Sequence, residues 1–248
     1  MKKVITLIVS FLLLCSYAPC YAVAAEPTII SEQQYQLIEQ DELLLARAKA
    51  AIDERSVELK NNSSMNAVVE VSAPKTRAGV EMVVTNVMYT TQLIKKVEYS
   101  DGSSEEEYVT TAIAEVSPRG SGTSTGGPTQ EGTTYVYSRI SYSSKSDGSG
   151  GLLFTQTGSG HKVTYSSSGP IAQVLSMAGR LIDAGNWVRA EKTGSRNSPV
   201  SGTWYTLGAP NSSLYLPKVS CTMNAESIAH LSNGQSVVMN YFLSGDSL

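Results

Sequence analysis

The chain has 248 residues, of which 41% are apolar and 17% charged, and a formal net charge of −3. That length and composition exclude a disordered chain and supply core enough for one large domain or two small ones. With 19 basic against 22 acidic residues, and no run that concentrates the basic ones, nothing supports nucleic-acid binding.

The N-terminus carries the most specific signal. Lys2 and Lys3 precede an apolar run from Val4 to Leu14, and the small residues Ala22-Val23-Ala24-Ala25 come just before Glu26. This order predicts a secretory signal peptide over residues 1–25, and a secreted, extracellular or envelope-associated mature chain. The run is too short for a permanent span, and no later segment approaches the ~20 apolar residues a membrane helix needs. The expectation is therefore no transmembrane span after signal cleavage. Removing the leader takes Cys15 and Cys20 with it and moves the charge to −5. Cys221 is then left without an intramolecular partner, so the fold must rest on its apolar core. Its setting, "YLPKVSCTMN", reads as a strand holding a buried small side chain rather than a reactive thiol.

Residues 26–66 read as a long amphipathic helix. Ser31 and Gln34 have capping-box spacing, Gly and Pro are absent from 31–62, and Ile38, Leu45, Ile52 and Leu59 recur every seven residues. Asp41 and Arg55 interrupt a coiled-coil seam, which favours docking on the chain's own β domain; self-association or a partner protein is the alternative.

Residues 67–248 read as a β-rich domain. Val, Thr and Tyr dominate "GVEMVVTNVMYTTQLIKKVEY", and "SDGSS" turns the chain into "EEEYVTTAIAEV", giving a β-hairpin. Glu105, Glu106 and Glu107 face Lys95 and Lys96 across it, which fits a charged surface better than a calcium loop. Residues 117–132, "SPRGSGTSTGGPTQEG", form a Gly/Ser/Thr-rich loop or linker. Within it Gly122-Thr123-Ser124-Thr125-Gly126 matches a nucleophile elbow, but without the strand and helix that would hold the serine in a strained turn.

From Thr133 to Ser168 three strands form an antiparallel meander. Val136, Ile140 and Tyr142 fall on one parity, and Tyr135, Tyr137, Arg139, Ser141, Ser143 and Lys145 on the other. "GPIAQVLSMAGRLIDAGN" then predicts a short helix from Pro170 to Gly185, in which Gly179 marks a close crossing. The last segments read as strands, except that His230 falls in a short helical or irregular turn.

The fold expected is mainly β: an antiparallel β-sandwich or open barrel with a long N-terminal amphipathic helix and one short internal helix. Two isolated histidines and one cysteine have no ligand spacing, and no glycine-rich loop opens a helix after a strand. Catalytic residues, metal and cofactor are accordingly expected to be none. The favoured function is a secreted, non-enzymatic binding protein for a cell-surface or wall polymer. A β-hairpin membrane-active protein and a secreted enzyme with dispersed active-site residues are the alternatives. Candidate binding residues are Tyr135, Tyr137, Arg139, Trp187 and Trp204, because aromatic rings beside a cation and hydroxyls suit a glycan. The same tyrosines suit ordinary cross-strand pairing equally well.

Overall fold

The computed structural model describes residues 26–61, 63–74, 81–119, 132–146, 151–183, 185–217 and 221–245. The leader and the nucleophile-elbow match lie outside these residues. The chain is mainly β, in two antiparallel sheets.

The larger sheet is built around a meander. Strands β3 (Met82–Tyr99), β4 (Ser104–Pro118), β5 (Thr134–Ser146) and β6 (Leu152–Tyr165) each pair with the next. β1 (Ile29–Gln34) adds to β3, while β9 (Tyr205–Gly208) and β10 (Leu216–Pro217) add to β6. The sheet curls into a half-barrel. Gly102, at φ 84°, makes the tight β3–β4 turn that "SDGSS" predicts. The Gly/Ser/Thr-rich segment joins β4 to β5, which pair from Glu105↔Lys145 to Val116↔Thr134; its residues 120–131 lie outside those described.

The smaller sheet has the order β2 (Ser63–Val71), β12 (Ser236–Gly245), β11 (Thr222–Leu231), β7 (Ala172–Ile182), β8 (Val188–Asn197). Its inner face packs on the larger sheet. Alternate residues Leu175, Leu181, Met223, Met239 and Tyr241 meet Val136, Ile140, Phe154 and Val163 in one core, to which buried Cys221 also belongs. Burial pushes the Cys221 thiol up to about 12, so it stays protonated and inert.

Two expected helices are corrected. The segment 170–185 is strand β7, not a helix: Leu175, Met177, Gly179 and Leu181 point inward with period two, and ladders to both β11 and β8 satisfy its backbone. The helical spacing of Ile171, Val174, Leu175 and Ala178 merges residues from both faces of that strand. Gly179 does mark a close crossing, since a Cβ there would lie 2.7 Å from Ser159 Oγ on the facing sheet. His230 likewise lies in β11, with its Nδ1 2.8 Å from Ser236 Oγ.

Residues 26–61 do not form one helix. They divide into β1, α1 (Asp41–Lys49) and α2 (Val57–Asn61). The heptad apolar residues serve separate elements: Leu45 anchors α1, Leu59 anchors α2, and Ile38 packs from the connection before α1. Ala51 breaks the run at φ 49°, and Asp53 then forms a bridge to Thr91. Arg55 ties this break to the start of β2, reaching the Asp53 carboxylate with Nε and Nη2 and Ser63 Oγ with Nη1 at 2.7 Å. Long-range pairing thus outcompetes the local preference for helix.

α1 lies on the outer face of the larger sheet, where Leu44, Leu45 and Ala48 cover Met88, Ile113, Tyr135 and Tyr137. Over residues 108–117 of β4 and 134–140 of β5 that sheet is consequently buried on both faces.

Candidate functional site: a cation–aromatic cluster beside the N-terminal segment

Strand parity assembles the cluster. On β5, Tyr135, Tyr137 and Arg139 project to the α1 side, and on β6 Gly160, Lys162 and Thr164 do the same, with Tyr137 opposite Lys162 and Arg139 opposite Gly160. Trp204 arrives just before β9, whose Tyr205 pairs with His161. Gly160 is required there. A Cβ at that position would lie 2.3 Å from Arg139 Nε, so only glycine lets the arginine lie across β6.

The Arg139 guanidinium carbon is 4.2 Å from the centre of the Trp204 ring, and Nη1 donates to Glu39 Oε1 at 2.7 Å. Lys162 is fully buried. Its Nζ sits 4.3 Å from the centre of the Tyr137 ring and 4.4 Å from that of Trp204, and it pairs with Asp41 Oδ1. Thr164 Oγ1 donates to the other Asp41 oxygen at 2.8 Å. Burial draws the Lys162 ammonium below its usual range, and the bond to Asp41 opposes that loss. Trp204 meets Tyr137 edge-on, at 5.8 Å and 67°. Two cations, two carboxylates and two rings therefore form one unit.

Four of the five sequence-predicted residues come together in or beside this unit: Tyr135, Tyr137, Arg139 and Trp204. Tyr135 and Tyr137 are fully buried, in a second core cluster with α1, and burial lifts the Tyr135 phenol to about 12. Trp187 does not join them. It stands 71% exposed in the β7–β8 turn of the smaller sheet, its backbone N–H directed at Asp183 Oδ1. Sequence reasoning missed Lys162, Glu39 and Asp41. Parity along β6 would have placed Lys162 beside Arg139, whereas the two acids are absorbed into the expected long helix.

A second polar group lies between the sheets. His161 Nδ1 is 2.9 Å from Ser227 Oγ, Nε2 is 3.0 Å from Ser159 Oγ, and Ser227 Oγ is 2.6 Å from Ser138 Oγ. A serine nucleophile and its base have this spacing. Here, however, Ser138, His161 and Ser227 are all completely buried, and the second ring nitrogen meets a hydroxyl instead of a carboxylate. Burial, with Arg139 adding to it, draws the imidazole down to about 3, so it stays neutral. The arrangement is a satisfied core network. Among the described residues no group of three or more His, Cys, Asp or Glu could hold a metal ion, and no helix is long and apolar enough to cross a membrane.

No family model, curated protein or solved structure matches the chain.

Proposed function

We propose that this chain is an exported, non-enzymatic binding protein that recognises a carboxylate-bearing glycan of the cell surface or wall through Arg139 and Trp204. Export rests on the leader sequence. The binding reading rests on one observation: the Arg139 guanidinium is stacked on Trp204, and its counter-charge comes from a glutamate that is itself half in solvent. A flat ring beside a guanidinium offers a sugar an apolar face and its acid group a charge-assisted partner. The enzyme alternative gains nothing from the Ser–His network, which no substrate can reach. The hairpin that a membrane-active protein would insert, β5–β6, has its core parity packed on the smaller sheet and its other parity beneath α1 and Trp204.

The test is retention of the mature protein on immobilised polygalacturonate, with neutral galactan as control. Retention on the acidic polymer that falls with salt and is lost in Arg139→Gln supports the reading. Trp204→Phe, which keeps a ring, should retain part of it. Equal retention on both polymers, or retention indifferent to Arg139→Gln in a protein whose melting temperature is unchanged, overturns it.

A further inference from the structure

Resting on that reading, we propose that residues 35–40 are a built-in competitor for the site: a strap whose Glu39 carboxylate holds the place of the ligand's own carboxylate and must leave before the glycan binds.

The strap is fixed by its neighbouring elements at both ends and by side chains of other strands between. At its start Tyr35 N donates to Ile94 O at 2.9 Å, continuing the β1–β3 ladder that ends at Gln34↔Lys95. At its end Asp41 opens α1, and its carboxylate grips Lys162 and Thr164 while Leu44 and Leu45 sink into the core. In the middle one glutamine side chain holds the backbone at Ile38. Gln92 Oε1 accepts from Ile38 N at 2.9 Å and Gln92 Nε2 donates to Ile38 O at 3.3 Å. Glu39 adds its bond to Arg139, and its carbonyl accepts long bonds, 3.4 Å each, from Lys162 Nζ and Trp204 Nε1.

Two observations point to displacement. The Glu39 side chain is 51% exposed while that of Arg139 is only 9% exposed, so an outward swing returns the carboxylate to water it already touches and uncovers the guanidinium. In addition, the strap borders an open cleft of about 420 Å³, lined by Tyr35, Gln36 and Ile38 from the strap and by Arg47, Glu54, Gln92 and Leu93 opposite. Ile38 also packs on the cluster that contains Tyr137 and Trp204. Ile38 thus stands between this cleft and the cation–aromatic unit, and lifting the strap would bring the two closer to one continuous surface. Asp41 stays bound to Lys162 as the anchor, and Glu39 is the part that moves. With Glu39 in place, the charges of Arg139, Lys162, Glu39 and Asp41 cancel; with it displaced, one positive charge is available to an acidic polymer.

Competition makes a prediction opposite in sign to a supporting role. Glu39→Gln removes the competing charge at nearly constant shape and should tighten binding to polygalacturonate about two- to fivefold, the range that releasing a partly exposed ion pair yields. Gln92→Ala loosens the strap at a separate point and should act in the same direction. The double variant Glu39→Gln/Arg139→Gln should lose the gain. Appearance of binding only in Glu39→Gln or Gln92→Ala, with none in the parent, supports the inference more strongly still. If the parent binds and both single variants, folded by thermal melting, bind equally or less tightly, the strap is not a competitor and the binding reading survives without it. Failure of parent and variants alike to bind removes both.

Discussion

Both sheets alternate inner and outer side chains along their strands, but their outer faces meet different surroundings. On the larger sheet α1 and the strap cover that face, and Tyr135, Tyr137 and Lys162 lie fully buried beside hydroxyls and a guanidinium. On the smaller sheet no helix lies across the outer face among the described residues. Its cross-strand rows Glu70–Val238–Ile228–Ser176–Ser195 and Asn66–Phe242–Asn224–Arg180–Glu191 mix charged groups, amides, hydroxyls and a few apolar side chains, most of them half-buried or exposed. Arg180 there bonds Glu191 at 2.6 Å and Glu226 at 3.4 Å. Under a cover a low-dielectric site penalises an unpaired charge heavily; in the open, matching is worth little.

That contrast is most easily broken through α1. Leu45→Ala should cost about 2–5 kcal/mol by leaving a hole between helix and sheet. Val68→Ala on the open face should change stability by less than about 0.5 kcal/mol. Urea denaturation of the two variants measures both, and similar losses would mean that α1 is not a structural cover.

Charge sharpens the contrast further. Lys162→Met leaves Asp41 facing an apolar side chain and should cost about 3 kcal/mol, most of which returns in Lys162→Met/Asp41→Asn. Arg180→Met, facing water, should cost about 1 kcal/mol or less. Full persistence of the Lys162→Met loss in the double variant would assign it to packing rather than to the stranded carboxylate.

A third effect depends on pH. The folded chain holds His161 neutral down to about 3, whereas an unfolded chain protonates it near the ordinary value of 6.5. Between those values the unfolded state carries the extra proton, so stability is intact above 6.5 and declines as the pH falls, by at most about 1.4 kcal/mol per pH unit. His161→Gln should flatten this slope in melts taken from pH 6.5 to pH 4.

The smallest effect has the opposite sign. Glu115 is buried on the covered face, and its Oε1 has no hydrogen-bond partner among the described residues. Burial raises its carboxyl, with Lys49 as a nearby cation opposing the rise. Its folded value being the higher one, stability is lost as the pH rises through it. Glu115→Gln should therefore melt slightly higher than the parent above pH 6 and match it at pH 4.

Much of this can be read from the sequence where structure is local. The meander from β3 to β6, its turn at Gly102 and the parity that groups Tyr135, Tyr137 and Arg139 all come from neighbouring residues. Residues 26–66 and 170–185 read as helix because their strands and breaks are set by distant partners: Gln34 by Lys95, Asp53 by Thr91, Ser176 by Ile228. The site fails in the same way. Glu39 lies 100 residues from Arg139, and Asp41 lies 121 from Lys162. No local pattern brings such pairs together. Trp187 and Trp204, equally eligible by composition, are separated only by the sheet each belongs to.

The pairing of β2 with β12, which runs from Val71↔Val237 to Ser63↔Gly245, bears on the order in which the molecule is made. β3 to β6 can zip together as each strand emerges after the last, but among the described residues the ladder of β2 is made with residues 237–245. A chain threaded outward from its N-terminus would present β2 early, with a bare edge and alternating apolar side chains, and hold it so while more than 160 further residues are made. β12 is therefore a timer: losing it, or delaying it, leaves the edge of β2 open to other chains.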